Sequence, residues 1–227
     1  VRWDTFLQNV ANKIRGKIEM ATVWEIGIGR EYSSYAELKK RRVVAQGWPA
    51  TGDLSDLFGK REDIVRNDTR IIKEASSKSA YVFVNLLCKI KQGDLVIACE
   101  GTSVKGICEI GSNINYRYDN DGHISGVDPA NFKWGDGFEY ANCLCFVDWV
   151  DWIDFEKITN RKPPSIAAQG VRGVVECGQD LKGILDAWRV YKETTESNTQ
   201  KRVNTMEYTT NISISIFDDF QQIILHG

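Results

Sequence analysis

The chain has 227 residues, with 42% hydrophobic and 26% charged residues, a formal net charge of −2 and a pI of about 5.8. This balance excludes disorder over most of the length, and the length fits one domain of about 150 residues with flanking helices. The sequence has no apolar run of bilayer length and no secretory signal at its N-terminus. We therefore expect no membrane partner and an intracellular protein, cytoplasmic or, in a eukaryote, nuclear.

The first part of the chain alternates between helix and strand patterns. Apolar residues at helical spacing over 3–14 predict that residues 1–20 form an N-terminal amphipathic helix. Residues 21–28 alternate and are rich in β-forming side chains, which predicts the first strand. Residues 32–40 predict a short helix, and Val43–Trp48 a second strand that is ended by the following proline.

The middle of the chain predicts helices followed by strands. Residues 54–90 have apolar side chains at helical spacing, which indicates two helices that cross over the strands. Strands are predicted over 95–100, 105–110 and 141–150. The segment 116–137 is rich in Gly, Asp and Asn and is predicted to be a loop or a loose hairpin.

The C-terminal part predicts one more strand and one more helix. These lie over residues 170–177 and 180–192, and the main domain is therefore placed at 21–192. After Thr194 the composition shifts to Thr, Ser, Asn and charged residues. Residues 193–227 are interpreted as a linker and a strand-like tail of unknown role.

Several of the β-type runs have a glycine at or beside one end. They include residues 43–48, 93–96, 106–111 and 146–150. Glycine at a strand end suits a sheet corner or a point where backbone approaches a ligand closely. With the helices, these runs predict an α+β fold, namely a small twisted mixed β-barrel with flanking helices and an aromatic mouth. Such an architecture suggests binding before catalysis.

The six cysteines predict buried free thiols, because most lie within apolar β-like runs. The closest pair, Cys143 and Cys145, lacks the spacing and the additional ligands that zinc requires. We therefore expect neither a metal nor a cofactor. Gly93-Asp94 predicts a tight turn in which the Asp side chain accepts hydrogen bonds from N–H groups two residues on.

Signatures of an enzyme are missing from the sequence. It contains no P-loop, no nucleophile elbow and no His-Glu-x-x-His motif. Asp148 and Asp151 form a possible carboxylate pair, but no histidine or nucleophile accompanies them. We therefore predict a binding domain rather than an enzyme, with no catalytic residues of its own.

Four motifs, in this order and spacing, resemble the EVE-like branch of the PUA superfamily. They are Gly47-Trp48, Gly93-Asp94, the hairpin from Gly106 to Gly111 with Tyr116 and Tyr118 after it, and Val147-Asp148-Trp149. The resemblance covers roughly residues 21–176 and points in particular to the N-terminal base-recognition domains of McrB-type modification-dependent restriction proteins, with YTH and ASCH domains as relatives. It implies a PUA/EVE-like barrel that reads a modified base. It also implies a GTPase motor or a nuclease in a fused or associated domain. Because the sequence begins with valine, we expect it to be part of a longer protein that could carry such a domain.

A base that is flipped out of a strand needs aromatic walls to stack on and fixed polar groups for its edge. Trp48 is the candidate primary wall because it lies between a strand-ending glycine and a proline. The candidate second walls are Trp24, Tyr32 and Tyr118, and the candidate polar readers are Asp53 and Ser55.

Local clusters of cations could contact the nucleic-acid backbone. The candidates are Lys39, Lys40, Arg41 and Arg42 before the second strand, and Arg61 and Arg66 in the helical stretch that follows. Carboxylates interleave with the latter, so an ordinary solvated surface is an equal alternative.

Three functions are consistent with these features. The leading one is a nucleic-acid-binding module that takes a modified base, expected to be methylated, into the aromatic pocket, with DNA favoured over RNA as the substrate. The acidic pI favours a second, a protein-interaction module on the same barrel. The third is an unrecognised hydrolase that uses Asp148 and Asp151.

Overall fold

Strands and helices follow one another along the chain in nearly the predicted order. The structure is a computed structural model that describes residues 21–28, 35–46, 51–118, 142–145, 147–166, 173–178 and 180–200. Its strands are β1 (Val23–Gly27), β2 (Val43–Gln46), β3 (Leu95–Glu100), β4 (Ser103–Glu109), β5 (Asn115–Tyr118), β6 (Asn142–Cys145), β7 (Val150–Asp151) and β8 (Val174–Glu176). Its helices are α1 (Tyr35–Arg41), α2 (Glu62–Arg66), α3 (Thr69–Ser79), α4 (Tyr81–Val84), α5 (Trp152–Thr159) and α6 over residues 181–200.

The larger sheet has five strands in the order β7-β4-β3-β1-β8. β1 and β3 run parallel, with Val23 opposite Leu95, and the other neighbouring pairs are antiparallel. β3 is buried along almost its whole length, as expected for a central apolar strand that is covered on both faces. Its hairpin with β4 shifts register between Ala98 and Cys99.

The smaller sheet has three antiparallel strands in the order β2-β6-β5. At one end of this sheet Gln46, Asn142 and Tyr118 lie in register. β5 begins at Asn115 and extends into the segment 116–137, which the sequence predicts to be a loop or a loose hairpin. Its pairing with β6 favours the hairpin alternative, because the two strands are the arms on either side of residues 119–141, which lie outside the described residues.

The strand predicted over residues 141–150 is two strands that belong to different sheets. β6 pairs in the smaller sheet and β7 in the larger one, so the single-strand prediction is wrong. The chain is held at this corner by two hydrogen bonds: Val147 N–H donates to the Arg42 carbonyl (3.1 Å), and Trp149 Nε1–H donates to the Val43 carbonyl (2.8 Å). A continuous apolar run does not reveal where its pairing partner changes.

The α+β class is confirmed, with mixed and antiparallel sheets and several helices. Within the described ranges the strands form two separate sheets and do not close into a barrel. One hydrophobic core nevertheless contains side chains from both sheets. It includes Trp24, Ile26, Val44, Val96, Cys108, Leu144 and Trp149.

Residues 54–90 are helical as predicted, but in shorter pieces than two helices. A 3₁₀ turn (Ser55–Leu57) comes first, and a π-turn (Asn85–Lys89) follows α4. α3 begins after Asp68, whose side chain accepts a hydrogen bond from the Arg70 N–H (2.9 Å), and it is interrupted at Ser76, where φ is +63°. These pieces cover the smaller sheet through a second apolar cluster that includes Leu54, Leu57, Ile71, Phe83, Leu87 and Tyr116.

A third layer covers the other face of the larger sheet. α5 and α6 pack there in a cluster that includes Leu95, Ile107, Trp152, Phe155 and Ile184. The apolar face predicted for α6 is confirmed: Ile184 belongs to this cluster, and Leu181, Leu185 and Trp188 pack against it. The helix continues to residue 200, beyond Thr194, where the composition predicts the start of a linker.

The cysteine prediction is also confirmed: none of the six cysteines forms a disulfide, five of them are buried, and Cys88 is partly exposed. The predicted N-terminal helix and residues 201–227 lie outside the described residues. Among the described residues, no helix is both long and apolar enough to cross a membrane.

Candidate functional site

The candidate site lies at the end of the smaller sheet where Tyr118 and Asn142 are in register. It consists of these two residues and of residues 51–55, and is termed the strand-end site. β2 reaches this end at Gln46, so the chain enters Gly47-Trp48 from here. Trp48 and Tyr32, two of the predicted walls, lie outside the described residues.

A buried network of hydrogen bonds fastens residues 51–54 to this end of the sheet. The Tyr116 hydroxyl accepts from the Leu54 N–H (2.9 Å) and donates to Asn142 Oδ1 (2.7 Å). Asn142 Nδ2 in turn donates to the Thr51 hydroxyl (3.2 Å). Asn142 is fully buried and Thr51 is 2% exposed. Because unbonded polar groups are costly in such surroundings, the network fixes the segment that follows Trp48.

The Tyr116 ring supports the same segment from within the core. Phe58 stacks against it with ring centroids 6.1 Å apart and an angle of 29° between the ring planes. Burial raises the pKa of the Tyr116 hydroxyl. The hydrogen bond from the Leu54 N–H lowers this pKa, whereas the Asp53 carboxylate and Tyr118 raise it further. Asp53 and Tyr118 therefore both lie close enough to act electrostatically on the Tyr116 hydroxyl.

Asp53 and Ser55, the predicted polar readers, are exposed and belong to one turn. Asp53 Oδ1 accepts a hydrogen bond from the Ser55 N–H (2.8 Å), which is the usual Asx-turn contact. Arg70 stabilises this turn, because its guanidinium donates hydrogen bonds to the Asp53 carbonyl (2.9 Å) and to the Asp56 carboxylate (2.9 Å). The predicted readers are thus preorganised by a partner that the sequence pattern did not identify.

Tyr118 is half-buried and packs against the apolar cluster beneath the helices. Strand alternation puts it on the same face of β5 as Tyr116. It remains a candidate wall, and it is the predicted aromatic residue that the structure brings to the strand-end site.

Trp24, a predicted second wall, lies in the core. It is 3% exposed, and its Nε1–H donates to Asp94 Oδ2 (2.8 Å). This environment favours a structural role for Trp24 over the predicted stacking role, because the ring packs in the core and its polar atom is bonded there.

Asp94 has the structural role that the sequence predicts, with different partners. It is fully buried and accepts hydrogen bonds from the Thr22 N–H (2.9 Å) and the Lys91 N–H (3.1 Å) as well as from Trp24. Thr22 directly precedes β1, and Lys91 lies in the turn before Asp94. The prediction that the Asp94 side chain bonds to N–H groups two residues later is therefore wrong. The carboxylate ties the start of β3 to the start of β1.

Most of the predicted backbone-binding cations are in ion pairs. The pairs, with their N···O distances, are Lys39–Asp151 (2.7 Å), Lys40–Glu37 (3.7 Å), Arg41–Glu37 (3.5 Å), Arg42–Asp148 (2.7 Å) and Arg61–Asp63 (2.7 Å). Arg66 is exposed and has no side-chain partner in the described part of the chain. Exposed pairs of this kind contribute about 0–1 kcal/mol, so an incoming phosphate could replace the carboxylate.

The same pairs bear on the hydrolase alternative. Asp148 is bonded to Arg42 and Asp151 to Lys39, and the hydrogen bond from Lys39 lowers the pKa of Asp151. A general acid needs a raised pKa, so this environment favours a structural role. In the ranges that the structure describes, no group of three or more His, Cys, Asp or Glu residues could hold a metal ion.

The sequence did not predict two further features. The Tyr35 ring lies over Gly106, where an added Cβ would overlap it, and its edge meets Trp149 at a centroid distance of 5.7 Å. The glycine within the β4 pattern was the only signal for this close approach.

The second feature is a cleft of about 280 Å³, termed the arginine cleft, at the other end of the smaller sheet. It is lined by Arg41, Arg42, Asn115, Tyr116, Arg117 and Cys145. Strand alternation gave a signal for the exposed position of Arg117. It lies between Tyr116 and Tyr118, whose side chains are on the other face of β5.

Comparisons with known proteins add one similarity. Residues 24–132, just under half of the chain, match a family model described as a domain of unknown function (DUF8426). No curated protein matches the chain. No solved structure matches it either.

Proposed function

We propose that this chain is a nucleic-acid-binding specificity module that recognises a modified, methylated base flipped into the strand-end site, with DNA as the favoured substrate. The buried network of Tyr116, Asn142 and Thr51 is the observation that carries the proposal. It holds the turn of Asp53 and Ser55 rigidly beside Tyr118, at the point where the chain enters Gly47-Trp48.

The energetics of base flipping are compatible with such a site. Flipping costs a few kcal/mol, and stacking on an aromatic side chain returns about 1–3 kcal/mol per base. Trp48 and Tyr118 as two walls could therefore offset the cost. Fixed polar groups then discriminate between base edges, because the turn of Asp53 does not have to be ordered when the ligand binds.

A PUA-like barrel is part of this proposal. The hydrophobic core that contains side chains from both sheets supports it, as does the corner at which the chain passes from one sheet to the other. A GTPase or nuclease activity would reside in a fused or associated domain.

The test is fluorescence-anisotropy binding of the chain to matched duplexes and single strands. These would be unmodified or carry N6-methyladenine, 5-methylcytosine or 5-hydroxymethylcytosine. We expect tighter binding to one modification, lost in Trp48→Ala and retained in Ile153→Ala, which truncates an apolar side chain that is 65% exposed on α5. Equal affinity for all probes would refute base recognition.

The ion pairing of the predicted cations favours the alternative of a protein-interaction module on the same fold. Salt dependence distinguishes the two functions. Binding through phosphates weakens steeply as salt rises, whereas an apolar protein interface responds little. A flat salt response together with capture of a protein partner would replace the nucleic-acid proposal.

A further inference from the structure

The arginine cleft is lined by three arginine residues from two separate parts of the chain. Arg41 and Arg42 lie where α1 ends and β2 begins, and Arg117 projects from the exposed face of β5. Asn115 adds an amide at the same edge. Guanidinium groups bind oxyanions through paired N–H donors in a plane, and they carry their charge at every physiological pH.

We propose that the arginine cleft binds a phosphate group. Its assignment to a phosphodiester of the strand whose base enters the strand-end site rests on the proposed function; a free phosphate or a phosphomonoester has the same chemistry. Asn115 and Tyr118 are three residues apart on β5, roughly 10 Å at strand rise, and they face opposite sides of the sheet. Because β5 is an edge strand, a nucleic-acid strand that passes around this edge could reach both sites. A few nucleotides span this distance.

Arg42 carries a pair of donors that a ligand can engage. Its backbone is left-handed, φ +57°, directly after the last residue of α1, where the chain turns into β2. Its carboxylate partner Asp148 is bonded at 2.7 and 2.9 Å but is 78% exposed, so a phosphate can take over both donors.

The first experiment titrates the chain with inorganic phosphate and follows the arginine Nε–Hε signals by NMR. We expect saturable shifts of Arg41, Arg42 and Arg117 in the millimolar range and none for Arg189. Arg189 is the matched control because it also makes an exposed ion pair, with Asp186 (2.9 Å), and lies on α6, outside the predicted nucleic-acid contacts. Absent shifts, or shifts equal to those of Arg189, would overturn the proposal.

The second experiment measures binding of an unmodified single-stranded oligonucleotide. We expect Arg117→Gln to weaken it about fivefold and to reduce the salt slope by about 0.7, whereas Arg189→Gln leaves both unchanged. Asp148→Asn should tighten binding because it releases Arg42, and Asp186→Asn, which releases Arg189, should not. Equal effects of the two Arg variants would overturn the phosphodiester assignment.

The two proposals fail in different ways. Loss of modification preference with an intact Arg117 effect refutes base recognition and supports the cleft. A modification preference that survives with wild-type affinity in Arg117→Gln refutes the cleft and supports base recognition. Phosphate shifts at the cleft without any oligonucleotide binding support a phosphate site whose ligand is free phosphate or a phosphomonoester.

Discussion

Replacement of Tyr116 by phenylalanine removes one oxygen atom from the centre of the strand-end site. The ring stays, and with it the stacking on Phe58, but the Leu54 N–H and Asn142 Oδ1 lose their partner. Each buried polar group left without a hydrogen bond costs about 1–3 kcal/mol. Partial relaxation reduces the sum of two such terms, so we expect Tyr116→Phe to lower the free energy of unfolding by about 3 kcal/mol.

Urea unfolding followed by circular dichroism measures this loss. For a chain of this size it corresponds to a fall in Tm of roughly 6–12 °C. Tyr191→Phe is the matched control, because this ring also packs against aromatic neighbours while its hydroxyl has no hydrogen-bond partner among the described residues. The control should stay within about 0.5 kcal/mol of wild type.

The network also makes a functional prediction. Well below its Tm, Tyr116→Phe should bind modified and unmodified probes with more similar affinities, because the turn of Asp53 is less firmly held. A stability loss below about 1 kcal/mol, or one equal to that of Tyr191→Phe, would refute the view that the network fixes the site.

Three other changes test the fold around the site. Asp94→Ala leaves three N–H donors without a hydrogen-bond partner, so we expect it to lower the free energy of unfolding in urea by about 3–5 kcal/mol. Asp63→Ala, at an exposed carboxylate, should lower it by less than about 0.5 kcal/mol. Similar losses in the two variants would contradict the structural role of buried Asp94. Burial raises the pKa of Cys108, so with rising pH the thiol loses its proton in the unfolded chain before it does so in the folded one. The free energy of unfolding should therefore fall above about pH 8.5 under reducing conditions. An equally steep fall in Cys108→Ala would exclude this thiol as the cause. Gly106→Ala should lower Tm through overlap with the Tyr35 ring, at about 2 kcal/mol, and adding Tyr35→Ala should relieve the overlap; a double variant with fully additive losses would argue against it.

The predicted site is only partly assembled by the structure. The sequence analysis named Tyr118 as a candidate wall and Asp53 and Ser55 as candidate polar readers; the structure places Tyr118 at the end of β5 and the other two in the turn fastened to that end of the sheet, and their roles stay a prediction. The sequence motifs could not identify Arg70 and Asn142 as the groups that hold the turn, since both act across 17 or more positions of the chain. The structural contact of Trp24 was hidden for the same reason: its partner Asp94 is 70 positions away.

The sequence by itself determined the local elements. β1, β3, β8 and the apolar face of α6 lie where the hydrophobic period predicts them, and the cysteines are buried because they stand in apolar runs. The hydrophobic period indicates which face of a helix or strand packs against the core. This period depends only on residues that are close together in the sequence.

Only the tertiary structure decided which elements meet. It split residues 141–150 between two sheets, placed carboxylates against most of the predicted cations, and brought Arg117 to the same cleft as Arg41 and Arg42. Strand pairing and ion pairing depend on partners far along the chain, and many partners are equally compatible with the same local pattern. The packing of the whole chain selects among them.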